Sequence, residues 1–470
     1  MRYQKQICML LALIFAVAFT FGCSPAPAAD TAAATASSGT ETAPVATAAA
    51  TADESKNSGD YVYQDLQDAE LTFYQYSVEN AEIIQSAIDQ YETIHPNVKI
   101  NLESVGGGTD WRTSLKAKIS SGDEPTLIAL EGVSDFDTFS DMLEDVSDQP
   151  WVSHVYDSVL KECTIDSKVV ALPACIVCYG LLYNKGIFTA CGIDGETLRT
   201  YDAIDAAFAT VQEAIDSGKL KDQYPDLETV VSLPAAEKWV LVLHGANAAL
   251  GLEFSNGFDA YNAKTLDFTT AGAFKDYIDL MVKYSADADN PSALNAVDYD
   301  SAMGGSFCIQ KTAAIQMGQW VQPIVAGVDE TMLDQIGVLP IPLKGVDEDN
   351  VCYGVGEYFV VNRHSTDAQK AAAKDFLNWF YLSNEGKSVQ SNDLGFNVPM
   401  DCYGDYPVDN VVSQACNAYA QSGNITPLVF GGYPDGWQDS FGAGIQSYIA
   451  GEKDWDTVIQ EAKDSWAQLR

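Results

Sequence analysis

The chain has 470 residues, 47% of them apolar and 11% aromatic, which is enough material for two compact domains. Its formal charge of −40 opposes binding to nucleic-acid phosphates or to an anionic lipid surface, so neither is expected as a partner. Ten cysteines without dense short spacing, and four scattered histidines (His95, His154, His244, His364), argue against a disulfide scaffold and against a histidine-built zinc or iron centre.

The first residues address the chain to a compartment. Arg2 and Lys5 form a basic start, residues 7–21 an apolar run, and Gly22-Cys23 follows. This pattern reads as a secretory signal over residues 1–22 with lipidation of Cys23, as in a bacterial lipoprotein. The apolar run falls short of the roughly 20 residues of a membrane span. Without Arg2 and Lys5 the charge becomes 24 − 66 = −42. Residues 24–57 are almost wholly Ala, Thr, Ser and Pro with scattered acids, too poor in apolar side chains to order themselves. A lipid-anchored, disordered linker is expected over 23–60, with globular sequence from about Tyr61.

In the body, ELTFYQY at 70–76 alternates as a strand does. Residues 80–95 place Ile83, Ile84, Ala87, Ile88, Tyr91 and Ile94 on one helical face, and Pro96 stops that helix. A strand is expected at 98–102, then a helix capped by Asp110 and carrying Trp111, Leu115 and Ile119, then a buried strand at 125–130. Strand, helix, strand, helix, strand at this spacing predicts a parallel α/β layer. Gly106-Gly107-Gly108 lacks the Lys-Ser/Thr of a phosphate loop. Ligands of open α/β sheets lie beyond the carboxyl ends of the strands. That rule selects Tyr74, Tyr76, Ser77 and Glu79 after the first strand, and Glu131 and Asp135 after the third.

Residues 172–185, LPACIVCYGLLYNK, open on a proline and run through an apolar β-type segment. Cys175 and Cys178 within it have no second CxxC or His pair beside them and read as structural thiols. Farther on, helices are expected behind Thr200, over 238–250 with Trp239 near the start, over 274–284, and over 368–380. Trp437 precedes a further helix, and Asp456 is the expected cap of the last one.

Leu172, Pro173, Leu182, Tyr183, Asn184, Lys185, Phe188, Gly192 and Ile193 resemble the first crossover of the extracytoplasmic sugar-binding proteins of bacterial ABC importers. The similarity extends over nearly all of residues 70–470, and it implies a strand at 312–320, the return crossover at 336–342 and 353–362, and a third crossing strand begun by GFNVPM at 395–400. It implies an α/β, two-lobed periplasmic-binding-protein-like fold (type II), each lobe a mostly parallel sheet flanked by helices, joined by a multi-strand hinge. It also implies lobes over 61–172 with 353–400, and over 173–352 with 401–470. Trp320 falls where the family stacks a tryptophan on sugar, and Trp437 falls at a second position beside the family's cleft.

Sugars offer C–H faces that stack on aromatic rings and hydroxyls that bond to planar polar groups. The candidate ligand-binding set is therefore Tyr76, Glu79, Glu131, Asp135, Tyr179, Trp239, Trp320, Glu357 and Trp437. The resemblance implies a non-enzymatic, lipid-anchored monomer on the extracytoplasmic face of the membrane. Such a receptor captures a saccharide and delivers it to ABC permease subunits, with no cofactor and no metal. A secreted glycoside hydrolase is the alternative, since a pair such as Glu131 and Glu357 would serve one. No GxSxG, HExxH or Walker motif supports other chemistry, and the adjacent tyrosines of iron binders are missing.

Overall fold

A computed structural model describes residues 56–106 and 109–470. The signal, Cys23 and the linker to residue 55 lie outside the described residues, as do Gly107 and Gly108.

The expected alternation opens the body: β1 (Ala69–Gln75), α1 (Ala81–Ile94), β2 (Val98–Ser104), α2 (Trp111–Ser120) and β3 (Leu127–Leu130). β1 lies between β2 and β3 and runs parallel to both, with Leu71 opposite Ile100 and Phe73 opposite Leu127. Ile84, Ala87, Ile88 and Tyr91 are the buried stripe of α1, as the 3.6-residue period requires. Asp110 caps α2 by accepting from the Thr113 amide. Such a cap satisfies a helix-end donor and is worth about 1 kcal/mol.

The stretch 172–185 is a single strand, β4 (Leu172–Asn184). There follow α3 (Tyr201–Asp216, capped by Thr200), β5 (Thr229–Ser232), α4 (Ala271–Lys283), β6 (Thr312–Gly318), β7 (Ile336–Leu339) and β8 (Val351–Val361). The chain closes with α5 (Asp367–Leu382), α6 (Val411–Ser422), β9 (Ile425–Thr426), α7 (Trp437–Ile449) and α8 (Trp455–Leu469). Thr366 and Gln369 form a capping box at the start of α5.

Among the described residues nine strands form one mixed sheet, ordered β2-β1-β3-β8-β4-β6-β5, with β7 on β4 and β9 on β8. Its centre is the antiparallel pair of β4 and β8, from Cys352 opposite Tyr179 to Phe359 opposite Leu172. Both strands pass from one apolar core to another. Leu172, Ala174 and Cys175 pack with β1, β3, α1 and α5, whereas Tyr179, Leu181 and Tyr183 pack with α3, α4 and α7. On β8 the change falls between Cys352 and Val355. A third core, built from Met303, Phe307, Ile315, Met317 and α6, flanks the second. The fold is thus two-lobed, with the parallel strands β1–β3 in one lobe and β5–β6 in the other.

Three local expectations change. The run 238–250 is not one α-helix. Val240–Ala246 forms a wide π-type turn before the helical residues Asn247–Leu250, and all seven residues of the turn are buried. The segment 395–400 carries no strand: Asn397 bridges Ile176 and Met400 bridges Val155 singly. Pro399, lacking an N–H, cannot continue a ladder there. Asp454, not Asp456, caps α8 by accepting from the Thr457 amide, and Asp456 sits in the first turn.

Candidate ligand-binding cleft

A cavity of about 630 Å³ opens where the carboxyl ends of β1 and β3 face the second lobe. This lies within the roughly 300–1,000 Å³ of small-molecule sites. Its two walls are built differently.

On the first-lobe wall, Tyr76 follows the last residue of β1 and stacks on Trp111, rings 5.0 Å apart and inclined by 25°. The Tyr76 hydroxyl donates to the Gly356 carbonyl at 3.3 Å. Arg112, in the first turn of α2, holds Asp135 with two bonds of 2.8 and 3.1 Å and Glu131 with a third, while its Cζ lies 4.4 Å from the centroid of the Trp111 ring. Asp135 also accepts from the Glu131 amide at 2.9 Å, which locks the turn after β3. Burial pushes the Glu131 carboxyl up, against the downward pull of Arg112.

Glu357 owes its direction to a double irregularity in the central pair. Glu357 is opposite Cys175, but the register shifts on either side of it. Bulges of this kind re-aim side chains beside functional sites. Glu357 is only 6% exposed, and its single hydrogen bond among the described residues is a long one of 3.5 Å from the Ser77 hydroxyl. Burial, reinforced by Glu79, raises its pKa to about 8. Glu79, half-buried at the same wall, rises to about 7 through burial.

The second-lobe wall is aromatic. His244 lies tilted against Trp320 at 4.9 Å, edge to face with Trp239 at 5.0 Å, and stacked on Tyr179 at 4.3 Å. Burial drops the His244 pKa to about 3, so its imidazole is neutral, with Nδ1 3.1 Å from the Gln316 side-chain oxygen. Trp239 donates its indole N–H to Glu237 at 2.8 Å and meets Tyr299 edge to face. Trp320 stands just past β6, where the chain turns into a short helical segment. Trp239 and Trp320 are both half-buried and line the cavity.

Seven of the nine candidates therefore line one space: Tyr76, Glu79, Glu131, Asp135, Trp239, Trp320 and Glu357. Two do not. Trp437 is fully buried between Phe441, Tyr433 and Trp466, with its N–H donated to the Ala462 carbonyl at 2.8 Å. It is a core residue because α8 covers it. Tyr179 is also fully buried, its hydroxyl donating to the Leu243 carbonyl at 2.9 Å, and it supports His244 from behind.

Sequence reasoning treated Trp111 as a core residue and passed over Arg112, His244 and Tyr299. The first two could have been found from the rule that selected Tyr76, since the start of α2 follows the carboxyl end of β2. His244 depends on the π-type turn, a distortion that recurs at functional sites but that no residue here announces.

Residues 86–400 match the family model described as bacterial extracellular solute-binding protein. The multiple sugar-binding protein of Streptococcus mutans serotype c is 22% identical over 314 residues, 65% of this chain and 69% of that one. Among solved structures, a chitin oligosaccharide binding protein superposes with a TM-score of 0.67 at 18% identity, covering 86% of this chain and 99% of its own. The maltose-bound MalE3 of T. maritima superposes with a TM-score of 0.69 at 14% identity, covering 85% and 100%. Those likenesses establish the fold. The family match spans well over half of the 470 residues, and the chain belongs to the bacterial extracellular solute-binding proteins.

Proposed function

We propose that this protein captures a carbohydrate, of oligosaccharide size, in the cleft between its lobes and delivers it to the permease subunits of an ABC transporter. The observation that carries this reading is the pairing of two unlike walls. Trp239, His244 and Trp320 present ring faces and edges, while Tyr76, Glu79, Glu131 and Glu357 present acceptors opposite them. A sugar ring needs both kinds of surface. Relatives named for multiple sugars, chitin oligosaccharide and maltose support it from outside the chain.

The lobes in this reading divide as the sequence suggests, 61–172 with 353–400 and 173–352 with 401–470, and closure is a shift of population toward the state in which both walls touch the ligand. The site residues are the seven that line the cavity, with Trp111 and His244 added. Cys23 carries a lipid that holds the protein, as a monomer, on the outer face of the cell membrane. Replacing Cys23 by Ala should then shift the protein from the membrane fraction to the medium. Equal retention of the variant would reject the anchor and leave the cleft untouched.

Binding is tested by thermal shift against mono- and oligosaccharides, because a ligand present at 100 times its Kd adds about 2.7 kcal/mol to the folded state. A saccharide that stabilises the protein, and is recovered uncleaved after long incubation, supports a receptor. Release of a shortened product would favour the hydrolase reading, with Glu131 and Glu357 as its carboxyl pair.

A further inference from the structure

We infer that the ligand carries a protonated amine, seated at the first-lobe wall between Glu79 and Glu357. This rests on the reading of the cleft as the binding site, but it concerns a property that neutral sugars do not have.

The charge balance of the cavity carries the inference. Three cations line it, and each is already committed to an acid. Arg112 is bound to Glu131 and Asp135. Lys116 is 2.7 Å from Asp435, and Lys238 is 3.3 Å from Asp439. Eight carboxylates line the same space against these three cations. Two of the remainder have local protein partners: Asp110 caps α2, and Glu237 takes the Trp239 indole N–H and the Tyr299 amide. Glu79 and Glu357 have neither a cation within ion-pair distance nor a short hydrogen bond among the described residues.

Glu357 is the decisive member. A carboxylate that is 94% buried is costly to ionise unless a cation or several donors face it, and buried acids in proteins are normally paired. Here the chain aims such a group into an open cavity through a bulge in its central strand pair and gives it one long bond from Ser77. Neutral hydroxyls can donate to these carboxylates but bring no charge to balance them. A cation supplied by the ligand completes the site: an ammonium between the two carboxylates regains in one step the Coulomb energy and donors that both lack. The aromatic wall opposite suits the same ligand, since ring faces attract cations as well as sugar C–H faces. In the unliganded protein burial raises the pKa of Glu79 to about 7 and of Glu357 to about 8, so below neutrality an arriving ammonium displaces protons from them.

The test compares oligomers of glucosamine with N-acetylglucosamine oligomers of equal length, with spermidine as an amine that is no sugar, by calorimetric titration at pH 6 and low salt, where the amines arrive protonated and Glu79 and Glu357 are still mainly protonated. The glucosamine oligomer should bind at least tenfold tighter than its acetylated counterpart, with protons released, which a buffer-dependent enthalpy reports. Glu357→Gln, and separately Glu79→Gln, should each lower that preference tenfold or more while circular dichroism shows a native fold. Raising the salt should erode it as well. Equal or tighter binding of the acetylated or another neutral saccharide overturns the amine and leaves the carbohydrate reading standing. Binding of spermidine without any saccharide supports the amine and overturns the carbohydrate. A preference that survives both substitutions removes Glu79 and Glu357 as its source and overturns the inference.

Discussion

Trp320 and Trp437 each follow closely on a glycine in the sequence, yet the first lines the cleft and the second is enclosed in the core. Trp320→Ala should weaken saccharide binding by about 1–3 kcal/mol, measured calorimetrically, because a half-buried ring loses its stacking partner. Trp437→Ala should cost about 3–5 kcal/mol of stability in denaturant unfolding, since its ring is enclosed by Phe441, Tyr433 and Trp466. An affinity loss for Trp437→Ala without a stability loss would reverse that assignment. Residue type and flanking pattern were legible; burial was not, because it depends on α8 returning over Trp437 from the end of the chain. The acids show the same limit. Of 66, the strand-end rule isolated Glu79, Glu131 and Asp135, but nothing local marks Glu357 as aimed by a bulge. Glu357 also sets a pH dependence. Its pKa is raised from 4.5 to about 8 by burial, so its contribution to stability is complete below about pH 4.5 and is lost as pH rises through about 8. Glu79, raised to about 7, acts in the same direction. The unliganded protein should therefore melt higher at pH 5 than at pH 8.5, and Glu357→Gln should flatten that difference; an unchanged slope in the variant would remove Glu357 as its cause.

Elements were far more readable than their distortions. β1, α1, β2, α2 and β3 follow from periodicity, Pro96 and the Asp110 cap, all of which are local signals. The π-type turn at Val240–Ala246 and the bulge at Glu357 are responses to packing across the sheet, and each sets a cleft residue. The first turn of α2 joins the two levels, because Arg112 ties it to the turn after β3. Arg112→Met should destabilise the protein by about 3–5 kcal/mol, since two acids, one 8% and one 4% exposed, lose their shared cation. Lowering the pH toward 4 should recover part of that loss by neutralising Glu131, which burial already pushes up, and a loss independent of pH would point to packing instead. Close approach matters at the same turn. A side chain at Gly431 would meet the Glu131 carbonyl at 2.6 Å, so Gly431→Val must push the second lobe away from the turn that carries Glu131 and Asp135. It should reduce ligand affinity more than it reduces stability, as titration and unfolding of the same variant would show.

For the whole molecule, two cores joined by the long strands β4 and β8 make bending between lobes easier than bending within either. The connection at 395–400, expected as a third strand, contributes only isolated bridges, so the continuous link is two-stranded. The crossover LPACIVCYGLLYNK disclosed this architecture because a strand that changes cores must be apolar along its whole length. The ligand's identity is not written that way, being a sum over side chains that six or more elements bring together. A carbohydrate gripped by Trp239 and Trp320 on one side and by Tyr76 and the carboxylates on the other must draw the lobes together, since a polar group left unpaired in the closed cleft costs about 1–3 kcal/mol. Small-angle scattering with and without a saccharide that binds at saturation tests this directly. The radius of gyration should fall on binding and stay unchanged with a non-binding sugar, whereas a tightly bound saccharide that leaves it unaltered would contradict the two-lobed grip.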